Sequence, residues 1–146
     1  MIDISNNTIV TANALLYKIK NGQVKFLLVQ ENDDNWGLPG GAKEVEDLDL
    51  LNVMERELKE ELGLKVSDYK LKQINIERKF EYNHFRSSRY GKHGIVYFFL
   101  VQLNKISKLH VSSEIKSVAW FTKEEALEIL TFKHIRNGFE EASRLA

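Results

Sequence analysis

The strongest constraint on this chain is a run of seven apolar residues, Ile95-Val96-Tyr97-Phe98-Phe99-Leu100-Val101, opened by Gly94. A strand with one wet face alternates apolar and polar residues at period two, and this run does not alternate. It is rich in β-branched and aromatic residues and far too short to cross a bilayer, which takes about 20 apolar residues. The remaining solution is a strand buried on both faces, in a sheet covered by helices on either side. The rest of the chain must therefore supply two helical layers. With 146 residues, 43% of them apolar, there is material for one such domain, residues 1–146, and for a substantial core.

The flanking segments fit that demand. Residues 12–19 and 24–29 are apolar stretches joined by Lys20-Asn21-Gly22-Gln23, and Asn-Gly supplies the positive φ angles of a tight hairpin. A glycine-rich loop, 36–42, holds the chain's only proline in Leu38-Pro39-Gly40-Gly41. Average usage would give about seven prolines. From Asp49 to Leu62 the period becomes 3.6, with Leu51, Met54, Leu58 and Leu62 on one face, Asp49 as N-cap and Gly63 ending the helix. Further strands are expected over Leu71–Glu77, Lys79–Phe85 and Ile115–Phe121, with a polar loop from Arg86 to His93. Thr122-Lys123-Glu124-Glu125 is a capping box that starts one or two final helices, broken or bent near Thr131-Phe132. The pattern predicts an α+β fold with helices flanking a mixed sheet.

Composition removes several classes of function. The absence of cysteine excludes a disulfide scaffold, a zinc-thiolate site and a cysteine nucleophile. Lysine plus arginine equals aspartate plus glutamate at 21 each, which speaks against a generic DNA or membrane-surface binder. The first residues carry no basic start or apolar run of a signal peptide, so a soluble cytoplasmic protein is expected. The neutral total is a cancellation: residues 44–61 hold eight acidic and two basic residues, whereas residues 70–92 hold seven basic and two acidic ones.

The acidic segment carries the chemistry. In Arg56-Glu57-Leu58-Lys59-Glu60-Glu61-Leu62-Gly63-Leu64, Glu57, Glu60 and Glu61 span about 100° of one helical face. Glu57 and Glu61 form a like-charge pair that costs a helix about 0.2–0.5 kcal/mol. Glu61 also falls between Leu50 and Met54 on the apolar side. A solvated face with ordinary surface pairs would account for an isolated Glu-Glu doublet. A third glutamate beside a glycine loop instead suggests a divalent cation, since hard cations take clustered carboxylate oxygens.

These residues resemble the Nudix box of the Nudix hydrolase family: Gly, five residues, Glu, seven residues, Arg-Glu, apolar, any, Glu-Glu, any, Gly, apolar. Residues 56–64 fit its second half at every position, and Leu38-Pro39-Gly40-Gly41 matches the loop that opens it. Asp47 stands where the family has its first glutamate, and eight residues rather than seven separate it from Arg56, a one-residue insertion. The resemblance implies a Nudix-type α/β/α sandwich and a divalent-metal pyrophosphohydrolase acting on a nucleoside diphosphate linked to another group. It places Mg²⁺ or Mn²⁺ on Glu57, Glu60, Glu61 and the Gly40 carbonyl, and gives Arg56 the task of orienting a glutamate. The catalytic base in the family varies, which leaves Glu60, Glu61 and Glu114, the last just before the strand that ends in Trp120-Phe121. The C-terminal segment is similar to that of dinucleoside tetraphosphate hydrolases, so a dinucleoside polyphosphate is the favoured substrate. Nucleoside triphosphates, nucleotide sugars, ADP-ribose and RNA 5′ ends are the alternatives.

Substrate phosphates need cations besides the metal. Lys79, Arg89 and Lys92 from the basic segment are candidates for that role, with Tyr82 to stack on a base. Phe85 and Tyr90 are further aromatic candidates, Phe85 more readily as core. His84 and His93 are as readily surface residues as phosphate contacts. A Nudix-fold module that binds nucleotides without turnover is the alternative of another class. It predicts a damaged glutamate set, whereas Glu57, Glu60 and Glu61 are intact.

Overall fold

The computed structural model describes residues 8–83, 88–104 and 108–146. Its elements are β1 (Thr8–Lys20), β2 (Gln23–Gln30), β3 (Trp36–Gly37), β4 (Gly40–Ala42), α1 (Leu50–Leu62), β5 (Tyr69–Glu81), β6 (His93–Leu103), β7 (Ser117–Phe121), α2 (Lys123–Ile129) and α3 (Lys133–Ser143), with a 3-10 turn at Val66–Asp68. The sheet runs β3-β2-β1-β6-β5, with β4 added to β1 and β7 to β2. It is mixed: β1 and β6 are parallel, from Thr8↔His93 to Tyr17↔Gln102, and the other pairs are antiparallel.

The seven-residue apolar run lies in β6, between β1 and β5. Ile95, Phe99 and Val101 pack on the α1 side, while Val96, Phe98 and Leu100 pack on the α2–α3 side. Two buried faces explain the missing alternation, and each fully buried side chain of this kind contributes about 1.5–3 kcal/mol. The predicted α+β sandwich is the observed one. Among the described residues, no helix is long and apolar enough to cross a membrane.

Helix α1 is capped as the sequence predicts. The Asp49 side chain accepts from Asn52 N–H, and Gly63 closes the helix in the left-handed region at φ 67°. The buried stripe is Leu50, Val53, Met54, Leu58 and Leu62. Leu51, expected among them, is exposed: the stripe centres between Leu50 and Met54, and Leu51 falls at its margin in the first turn. The two strands expected at Leu71–Glu77 and Lys79–Phe85 are one strand as far as Glu81, kept in register with β6 by a bulge between Gln73 and Glu77. His84, Phe85 and Arg86 lie outside the described residues. The strand expected from Ile115 begins at Ser117, and two final helices meet at residues 130–132.

Candidate active site

The site forms where the glycine loop, α1 and the segment before β7 meet. Strand β4 pairs with β1 through Asn13↔Gly40 and Ala12↔Gly41, and Ala14 N–H donates to the Pro39 carbonyl at 2.8 Å. The loop lies so close to its neighbours that side chains are excluded. A Cβ on Gly41 would sit 2.5 Å from Glu57 Oε1, and one on Gly40, which also holds φ +152°, would sit 2.1 Å from the Ala12 carbonyl. The Gly40 N–H donates to Glu61 Oε1 at 2.8 Å, pinning the end of α1 to the loop.

Opposite lies the segment before β7. His110 N–H and Ser112 N–H donate to the Leu62 and Glu61 carbonyls, which a helix leaves without partners at its C-terminal end. Glu114 N–H donates to Ser112 Oγ, and Asn32 Nδ2 donates to the Glu114 carbonyl. Between these walls is a cleft of about 510 Å³, lined by Glu31, Glu57, Glu60, Glu61, Ser112 and Glu114 among others. The four glutamates singled out from the sequence therefore meet in one cleft, Glu114 included. Glu31 was missed. Its signal is the polar run Glu31-Asn32-Asp33-Asp34 directly after an apolar strand. The pairing of β2 with β7, Gln30↔Ser117, sets that run beside the Glu114 segment.

Arg56 does not line the cleft. Its Nε and Nη2 bind Asp47 as a fork, at 3.0 and 2.8 Å, and Nη2 also donates to the Ala42 carbonyl at 3.1 Å. Its Nη1 reaches Glu57 at 2.8 Å and Glu60 at 3.4 Å. Arg56 is thus a positioning group that ties α1 to the loop and aims Glu57. Asp47, shorter than the family's glutamate, reaches it because a turn brings the backbone inward: Asp47 N–H donates to the Glu44 carbonyl, and Glu44 N–H to Asp47 Oδ2. The chain on either side of Asp47 is exposed, with Val45 and Leu48 pointing to solvent.

Electrostatics separate the acids. The Arg56 fork holds the Asp47 carboxyl below the ordinary aspartate range. Burial pushes Glu61 up to about 8, against the Gly40 hydrogen bond, and the charges of Glu57, Glu31 and Glu60 push in the same direction. Glu57 is raised by burial although Arg56 opposes it, and Glu31 by burial and then by Asp33. A buried carboxyl facing other carboxyls is the environment a cation relieves. The donor set, all carboxylate oxygen beside bare glycine backbone, fits a hard divalent ion. At present Glu57 is turned to Arg56 and Glu61 to Gly40, and among the described residues no group of three acidic or histidine side chains is gathered closely enough to hold an ion.

The candidate substrate residues lie elsewhere: Lys79, Tyr82, Arg89 and Lys92 do not line the cleft. They sit in β5 and the connection to β6. Tyr82 N–H donates to the Lys92 carbonyl, Gly91 N–H to the Tyr82 carbonyl, and Arg89 Nη1 to the Tyr82 hydroxyl at 3.3 Å, with its guanidinium 5.6 Å from the ring centroid. Phe80 joins this group, edge-on to Tyr82 and stacked on His134 at 3.8 Å.

Comparison with known proteins agrees with this geometry. The NUDIX domain family model matches residues 9–141. Isopentenyl-diphosphate Delta-isomerase 1 of Bos taurus is 30% identical over 125 residues, 75% of this chain, but the chain spans only 55% of that relative's length. Bis(5'-nucleosyl)-tetraphosphatase [asymmetrical] of Mus musculus is 26% identical over 129 residues, 87% of this chain and 84% of that one. The crystal structure of a C. elegans Ap4A hydrolase binary complex superposes with a TM-score of 0.79 at 22% identity, covering 94% of this chain and 96% of that one. The chain belongs to the NUDIX family.

Proposed function

We propose that this NUDIX protein hydrolyses a phosphoanhydride bond in a nucleoside diphosphate linked to another group, and that a dinucleoside polyphosphate is its substrate. Glu61 carries the reading: a buried carboxyl, pushed up to about 8, stands among Glu57, Glu31 and Glu60 with only the Gly40 N–H to offset it. A fold built for stability alone has no use for that arrangement.

Glu57, Glu60, Glu61 and the Gly40 carbonyl would hold Mg²⁺ or Mn²⁺. Bound there, such an ion supplies neutralisation of the diphosphate and acidification of water. The chain's own contribution is positional. Arg56 fixes Glu57, Gly40 N–H fixes Glu61, and the bare glycines leave room for phosphate. Water attacks phosphorus, the anhydride P–O bond breaks, the released phosphate leaves with its electron pair, and the proton of water passes to a carboxylate, Glu60, Glu61 or Glu114. Lys79, Tyr82, Arg89 and Lys92 would hold the part of the substrate that extends beyond the cleft. The dinucleoside choice is supported by the likeness to the mouse tetraphosphatase over most of both chains.

The test is release of phosphate or nucleotide from a panel with and without Mg²⁺ or Mn²⁺. The panel holds diadenosine tetraphosphate, nucleoside triphosphates, ADP-ribose, nucleotide sugars and 5′-triphosphorylated RNA. Isopentenyl diphosphate is included because the bovine relative is an isomerase. Cation-dependent cleavage fastest on diadenosine tetraphosphate is the expected outcome. Binding without cleavage anywhere would replace the enzyme by a nucleotide-binding module, and double-bond migration in isopentenyl diphosphate would replace hydrolysis.

A further inference from the structure

A second charged pocket lies at the far end of the same sheet face. Its volume is about 220 Å³, and it is lined by Lys18, Lys20, Asn21, Gln23, Lys25 and Trp120. Strand parity explains the gathering. Lys18 and Lys20 follow Leu16 at steps of two in β1, and Lys25 and Gln23 precede Leu27 in β2, so all share the α1-side face. Lys18 lies directly opposite Lys25, and Lys20 opposite Gln23, while Trp120 lies opposite Leu27.

Like charges directly opposite on one face destabilise a strand pair. Lysines placed only to keep a hairpin soluble could occupy either face. Here they converge, and among the described residues none of the three forms an ion pair. Glu125 feels the charge of Lys25, but its carboxylate is committed to the Thr122 N–H at 2.8 Å. Lys18 Nζ sits 4.2 Å from the Trp120 ring centroid, a cation–π contact that restrains an otherwise mobile ammonium at the pocket wall. The amide side chains of Asn21 and Gln23 add neutral donors.

We propose that this pocket is a binding site for a multiply charged phosphate chain, separate from the acidic cleft. Glu31 lies six residue steps beyond Lys25, about 20 Å along extended strand, so the two sites are distinct. The Trp120 face is occupied by Lys18, which makes the pocket a reader of phosphates rather than of bases. Free polyphosphate and the phosphates of a nucleotide share that chemistry.

Calorimetric titration with inorganic tripolyphosphate, and in parallel with ATP, tests the site. It is run without divalent cation, a condition in which the acidic cleft repels anions, so the result stands whether or not hydrolysis is found. The expected result is saturable binding weakened at least tenfold in Lys18→Gln/Lys25→Gln and changed less than twofold in Glu61→Gln. Circular dichroism and melting of the lysine variant show that it folds; neither lysine belongs to the buried core. Equal affinity for the two ligands assigns the site to a free phosphate chain, and tighter ATP binding assigns it to nucleotide phosphates. Absence of binding, or affinity unmoved by the lysine changes, overturns the proposal.

Discussion

Asp47 and Glu61 are two sheltered carboxyls at opposite ends of one network, and their environments drive them apart. Asp47 receives a two-pronged Arg56 fork and the Glu44 N–H, and its carboxyl is held below the ordinary range. Glu61 receives one N–H, from Gly40, while Glu57, Glu31 and Glu60 crowd it, and it is pushed up to about 8. Each burial carries a desolvation cost, but the chain outweighs it only at Asp47. The contrast divides the acidic segment by role: Asp47 and Arg56 build the scaffold, whereas the helix-end glutamates are the proposed cation ligands.

The largest effect expected from this division is on turnover. Glu61→Gln keeps an acceptor for the Gly40 N–H and the same shape, yet removes the charge. Cation-dependent hydrolysis should fall by about 10²–10⁴-fold, with the melting temperature unchanged or raised. A variant that keeps activity, or that melts well below the parent, would merge the two roles. Asp47→Ala should do the reverse and lower unfolding stability by about 3 kcal/mol, because Arg56 loses its main partner. Urea unfolding measures this. The pH dependence has a definite sign. Because the folded-state Asp47 pKa is lowered, its stabilisation is complete above the ordinary aspartate range and is lost as pH falls through the lowered value. Asp47→Asn should therefore flatten the acid limb of the stability curve.

What the sequence made legible follows locality. Glu57, Glu60 and Glu61 lie three and four residues apart, so helical geometry alone places them together, and caps at Asp49 and Gly63 follow from local chemistry as well. The double burial of β6 was readable from its missing alternation. Partners distant in sequence were not. Glu31 comes beside the Glu114 segment through the long-range pairing of β2 with β7, and the bulge in β5 that merges two expected strands depends on β6. Asp47 holds Arg56 despite the shifted spacing because the turn at Glu44–Asp47 supplies the missing reach, which a spacing pattern does not encode. Charge counting found the basic segment 70–92, but the lysine pocket beside Trp120 needed strand parity and pairing to emerge.

A smaller effect sharpens the cation side of the comparison. Mg²⁺ or Mn²⁺ at a hundred times its dissociation constant should stabilise the protein by about 2.7 kcal/mol, read as a rise in melting temperature. Glu60→Gln should lose most of that rise and Asp47→Asn should keep it, since only the first removes a proposed ligand. An equal shift in both variants would place the cation elsewhere.

The smallest effect concerns the far wall. Asn32 donates to the Glu114 carbonyl and Lys116 N–H to that of Gln30, so the end of β2 sets where Glu114 stands. If Glu114 accepts the proton of the attacking water, Glu114→Gln should lower kcat at least tenfold and remove the corresponding limb of the pH–rate profile. Asn32→Ala should lower kcat less than tenfold with KM unchanged, because it loosens the carrier of Glu114 and leaves the carboxylate present. Loss in Asn32→Ala alone, with Glu114→Gln fully active, would mean that the clamp supports Ser112 and the α1 carbonyls instead. The glutamates that act would then be confined to the helix, Glu60 and Glu61.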